Sequence, residues 1–164
     1  MGTVVVILVI AAIIGGVMWN KRNAAAAVAG VEFDTAYDPS AVGAAIRAVY
    51  CGGTKAMMKS MFSGLTVSPV GTSTFKVESR LGDIGEIIIT ARDGGALVCS
   101  RTVELYVGSH PKTHFKRGIM GIAAVLTHKI YQALGVTPGA ARMKGFQRKI
   151  EGRVARELSR STMT

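Results

Sequence analysis

Ile84–Val107 reads IGEIIITARDGGALVCSRTVELYV, two runs rich in apolar and β-branched residues on either side of Asp93-Gly94-Gly95. The turn triplet and the alternation around it predict a hairpin, Ile84–Arg92 paired with Ala96–Val107. In the second run Leu97, Cys99, Arg101, Val103, Leu105 and Val107 alternate with Ala96, Val98, Ser100, Thr102, Glu104 and Tyr106. The first set is the more apolar and is expected to face a covering layer, with Cys99 in the core.

The pattern extends towards the N-terminus. Leu65–Val70 and Thr74–Leu81 are separated by Gly71-Thr72-Ser73, a connection of hairpin length. Four strands in succession joined by short turns imply an antiparallel meander. Further back, Val31, Phe33 and Thr35 alternate with Glu32, Asp34 and Ala36, a short additional strand.

Helices flank the strands. Asp38-Pro39 supplies an N-cap and a first helical position, followed by Val42, Ala45, Ile46, Val49 and Tyr50 at helical spacing. Cys51-Gly52-Gly53 interrupts this helix, and a second piece, Thr54–Phe62, carries Met57, Met58, Met61 and Phe62. After the meander, Phe115–Leu134 shows the stripe Ile119, Ile122, Ala123, Leu126, Ile130 and Leu134, closed by Gly135 and Pro138. A last helix, Gly139–Ser161, places Met143, Phe146, Ile150, Val154 and Leu158 on one side. The order β-α-α-β-β-β-β-α-α describes an α+β domain of two layers, an antiparallel sheet with helices on one face. In element order alone it resembles the helix-grip (START-like) domains, and no residue is carried over from them.

The N-terminus is a separate unit. Thr3–Trp19, TVVVILVIAAIIGGVMW, holds no charge, and 17 helical residues extend about 26 Å, close to one hydrocarbon core. Trp19, then Asn20, Lys21 and Arg22, follow the order of an interfacial aromatic and a positive flank. A signal peptide needs its positive charges before the apolar run, and here they come after it. The expected organisation is a single-pass anchor over residues 1–22, a tether (or a frayed continuation of the anchor helix, since Ala favours helix) over residues 23–30 and a basic domain over residues 31–164. The positive flank places that domain on the cytoplasmic side of the cell membrane, with Cys51 and Cys99 as reduced thiols.

Of the net charge of +10, +9 lies in residues 111–164, which hold 11 Lys/Arg against Glu151 and Glu157. Arg142, Lys144, Arg148, Lys149, Arg153, Arg156 and Arg160 surround the apolar stripe of the last helix. With Lys21 and Arg22 they are the candidate contacts to the anionic leaflet or to a protein partner. Aromatic residues are only 6% of the chain, too few for the stacking that nucleic-acid binding favours.

Catalytic and metal motifs are weaker. His110 and His114 stand four apart with His128 beyond, but Pro111 lies between the first two and no Glu follows as in H-E-x-x-H. Lys112, Lys116 and Arg117 repel a cation, so no metal is expected. Cys51 at a helix break has the position of an activated thiol, yet nothing in the sequence pairs it with a base. Cys51-Gly52-Gly53-Thr54-Lys55 lacks the spacing of a phosphate loop. The pattern therefore predicts no enzyme and no cofactor, but a membrane-anchored accessory domain that binds a partner protein or the inner leaflet. The alternative is a module for a small apolar molecule or lipid, with its pocket between the sheet and the Phe115–Leu134 helix.

Overall fold

The computed structural model describes residues 2–53, 63–107 and 119–163. In chain order the described elements are α1 (Gly2–Ala29), β1 (Val31–Thr35), α2 (Pro39–Tyr50), β2 (Leu65–Pro69), β3 (Thr74–Ser79), β4 (Ile84–Arg92), β5 (Gly95–Glu104), α3 (Ile119–Leu134) and α4 (Ala140–Ser161). This is the expected α+β class, and the order of the elements matches. The second helical piece, Thr54–Phe62, with its three methionines, lies outside the described residues, as do His110 and His114.

The five strands form one antiparallel sheet in the order β1-β5-β4-β3-β2. β1 pairs with β5 through Phe33 opposite Val98, and β4 with β5 through Ile89 opposite Val98. The register of β4 and β5 shifts between Ile84 and Gly85. The buried face carries Leu65, Val67, Phe75, Val77, Ile87, Ile89, Ala96 and Val98.

On β5 the expected orientation is reversed. Ala96, Val98, Ser100 and Thr102 point into the core, while Cys99 is half-buried on the opposite face and Val103 is exposed. The reason is the closeness of the covering helices. Gln147 of α4 donates from Nε2 to Thr102 Oγ1 at 3.1 Å and to the Ala27 carbonyl at 2.8 Å. Small and hydrogen-bonding side chains fit there, and a Cβ at Gly30 would already meet the Ser100 carbonyl.

Asp38 caps α2 as its sequence predicts, accepting from the Ser40 amide at 2.8 Å, with Pro39 in the first turn. Val42, Ala45, Ile46 and Val49 are buried. α4 buries Met143, Phe146, Ile150, Val154 and Leu158, all five members of its predicted stripe. Its N-terminus meets a buried carboxylate. Asp83, fully buried, accepts from Ser79 Oγ at 2.5 Å and from the Tyr106 amide at 3.0 Å, and lies so close to Gly139 that a methyl there would overlap it. A negative charge at the positive end of a helix is favourable, and Asp83 ties the sheet to the start of α4.

α1 does not end at residue 22. It continues without interruption to Ala29, so residues 23–29 take the helical one of the two forms expected for them. Alanine is the best helix former, and the run of four here has nothing to break it. Asn20, Asn23 and Ala27 are buried against the domain, at the helical spacing of three and four residues. Gly30, at φ 75°, ends the helix where a side chain would collide with the Ser100 carbonyl and Arg101. Before Asn20 the helix is exposed, and Val4–Ala29 is long and apolar enough to cross a membrane.

Candidate basic cleft

Three contacts define how α1 and α4 lie together. Asn20 donates from Nδ2 to the Thr137 carbonyl and accepts from the Thr137 amide, both at 2.9 Å. The Thr137 hydroxyl donates to Asn20 Oδ1 at 3.1 Å. One turn on, Lys144 Nζ donates to Asn23 Oδ1 at 2.9 Å, and one further turn on, Gln147 reaches the Ala27 carbonyl. Residue numbers rise together on both helices, so α4 runs in the same direction as α1. With a rise of 1.5 Å per residue, Arg160 lies about 24 Å along α4 beyond Lys144.

The cations of α4 fall into three groups. Lys144 is half-buried against α1, and Arg148 faces solvent. The other five, Arg142, Lys149, Arg153, Arg156 and Arg160, recur at spacings of seven, four, three and four. At about 100° per residue they occupy a sector roughly 60° wide, beside the buried stripe. Two clefts open along this sector. One, of about 300 Å³, is lined by Tyr50, Ser63, Leu65, Arg142, Lys149 and Arg153, among others. The next, of about 350 Å³, is lined by Val49, Arg153, Arg156 and Arg160. Arg153 belongs to both.

Tyr50, the last residue of α2, is the apolar pivot of this wall. Its ring packs on Phe146 with centroids 5.3 Å apart, and the Arg153 guanidinium lies 5.8 Å from its centroid. Burial pushes the Tyr50 phenol above its ordinary range, and Arg153 and Arg156 oppose that rise. Among the described residues, Arg142, Lys149, Arg153 and Arg156 form no ion pair with an acidic side chain, while Arg160 approaches Glu157 at 3.7 Å. Four of the five stripe cations, Arg142, Lys149, Arg153 and Arg156, therefore lie beside an apolar wall without an acidic partner among the described residues. Guanidinium and ammonium groups so placed have the chemistry to pair with carboxylates or phosphates.

The other sequence-derived candidates separate in space. Lys21 and Arg22 are exposed on α1, at the foot of the domain and away from the clefts. Cys51 Sγ donates to the Val67 carbonyl at 3.4 Å, and burial pushes its thiol up, with Arg47 opposing. Cys51 is therefore a packed, partly buried thiol. Cys99 is also pushed up, first by burial and then by Glu32. No group of three potential metal ligands occurs among the described residues. The pocket expected between the sheet and α3 is not formed by the described part of that helix: Val125, Leu126, Ile130 and Leu134 are exposed, and α4 occupies the place beside the sheet. Sequence reasoning missed Tyr50 as a site residue. Its helical spacing marked it as core, and its role depends on α4 lying opposite.

No protein-family model and no curated protein matches the chain. Among solved structures it is similar to a conserved protein of unknown function, EF2215, from Enterococcus faecalis, at 17% identity over 80% of this chain and 84% of that one. The TM-score is 0.29, too low to carry an argument about fold or function.

Proposed function

We propose that the chain is a membrane-anchored, non-enzymatic accessory protein whose cytoplasmic domain binds an acidic partner protein along the α4 stripe. The observation that carries this reading is the direction of that stripe. α4 rises parallel to α1, so with α1 across the bilayer the basic groups point up the domain. Arg153, Arg156 and Arg160 then stand more than 10 Å above the foot of the domain, beyond the ~8 Å Debye length of physiological salt. Headgroup attraction at that height is screened, and a protein partner at the same height is not excluded. Lys21 and Arg22, directly after the apolar run, support the cytoplasmic side and a contact with the anionic leaflet.

The test uses the full chain in nanodiscs of neutral lipid and a fluorescent glutamate-rich peptide as the probe. Arg153→Glu combined with Arg156→Glu is expected to weaken binding about tenfold or more, while Arg148→Glu, outside the stripe, changes it little. Equal losses from the stripe and from Arg148 would mean that net charge alone attracts the peptide, and the reading would fail. A reporter fused after Thr164, active only in the cytoplasm, checks the side.

A further inference from the structure

We infer that α3 lies on the bilayer surface as an interfacial helix, with Leu126, Ile130 and Leu134 turned into the lipid. The inference rests on α1 being a membrane span and goes beyond the binding role of α4.

Leu126, Ile130 and Leu134 recur every fourth residue and so share one face of α3. Their exposures are 61%, 48% and 38%, and none belongs to the hydrophobic core. His128 and Tyr131, half-buried, lie on another side of the helix, so the apolar stripe is the side turned away from the protein. An apolar helix face left in water needs an occupant.

Its location identifies that occupant as lipid. Thr137 is bonded to Asn20 by three hydrogen bonds, and Asn20 is where α1 changes from an exposed apolar surface to a buried one. Leu134 is three residues from Thr137, so the end of α3 lies within roughly 10 Å of that level. Trp19, the aromatic at the end of the apolar run, is 61% exposed there. The C-terminal end of the exposed stripe therefore lies near the level at which the exposed apolar surface of α1 ends, which is the height of the bilayer interface when α1 spans it. α3 is about 24 Å long and carries Lys129 near its middle, a length and a charge that suit lying in the interface and not crossing it. Lys129 is exposed and its stem is long enough to reach headgroups while the leucines sit lower.

The full chain, with Cys51→Ala and Cys99→Ala, is reconstituted into phosphatidylcholine–phosphatidylglycerol vesicles. Single nitroxide-labelled cysteines are placed at Leu126, Ile130 and Gln132, with Ile10 and Val103 as references. Oxygen is expected to collide with labels at Leu126 and Ile130 in preference to a water-soluble nickel chelate, with a ratio within about threefold of that at Ile10. Gln132 and Val103 are expected to favour the chelate. Chelate-accessible labels at Leu126 and Ile130 beside a lipid-exposed Ile10 would overturn the interfacial helix and leave the span standing. A chelate-accessible Ile10 would overturn both. Labels at Leu126 and Ile130 shielded from both reagents would mean that protein covers the stripe, and the inference would again fail.

Discussion

α3 and α4 are consecutive helices, and each does the opposite of what its composition suggests. α3 is predominantly apolar, yet among its described side chains Val125, Leu126, Ile130 and Leu134 are exposed and none of these belongs to the core. α4 carries seven Lys/Arg and two Glu, yet it buries Met143, Phe146, Ile150, Val154 and Leu158 at the centre of the domain. What separates them is their attachment. α4 is held along its length by Asn23, Ala27, Thr102 and the Asp83 carboxylate, whereas α3 is fixed near its end by the Thr137–Asn20 contact. A sorted pattern held at several points makes a core helix even when it is highly charged. An apolar pattern held at one end remains available to another solvent.

The contrast can be broken at its strongest point first. Ile150→Ala in α4 is expected to cost about 2–5 kcal/mol, while Ile130→Ala in α3 changes stability by less than about 0.5 kcal/mol. Urea denaturation of the full chain in mild detergent measures both, and similar losses at the two positions would mean that α3 packs on protein. Next, Asp83→Ala removes the acceptor of Ser79 and Tyr106 inside the sheet–α4 junction and is expected to cost about 1–3 kcal/mol. Asn20→Ala is expected to cost about 1–3 kcal/mol as well, and to raise proteolysis within residues 119–137 without loosening α4, which keeps its other contacts.

Much of this architecture was legible, and the exceptions have physical causes. Asp38-Pro39 announced α2 because capping chemistry is local, and the α4 stripe was exact because its charged residues leave only one side to bury. For Leu126, Ile130 and Leu134 the period marks one shared face, and the structure leaves these three side chains exposed. Periodicity reports that a helix has two faces, and cannot name the medium on each. β5 differs: size favours Leu97 and Cys99 as core, but the buried set is Val98, Ser100 and Thr102, the last of them bonded to Gln147. The seven cations of α4 were visible as a set. Their division into the Asn23-bound Lys144, the outward Arg148 and the five-membered stripe required the positions of α1 and α2.

The smallest effects sharpen the picture of the stripe. The Tyr50 phenol is raised in the folded protein, so its contribution to stability is complete below the unfolded tyrosine value near 10.0 and is lost as pH rises through the higher folded value. Replacing Arg153 with Met removes the largest opposing influence, so the Tyr50 titration followed by ultraviolet absorbance should move further up. No movement would mean that Arg153 does not act on Tyr50 in solution. Both cysteines should alkylate more slowly than an unhindered thiol at mildly alkaline pH, as burial raises each.

On the proposed reading, with α1 across a bilayer, the uninterrupted run of α1 from Gly2 to Ala29 also makes the domain a lever. A flexible tether would let the domain tumble above the bilayer and average out any change beneath it. A spar of one helix, bonded side by side to a second, transmits its inclination instead. Hydrophobic stretches tilt to match the thickness of the membrane they occupy. A tilt of about 10° would carry the far end of α4, roughly 30 Å above the interface, sideways by about 5 Å. The position of Arg160 relative to any neighbour in the same membrane then becomes a function of lipid composition, with no ligand bound and no bond changed.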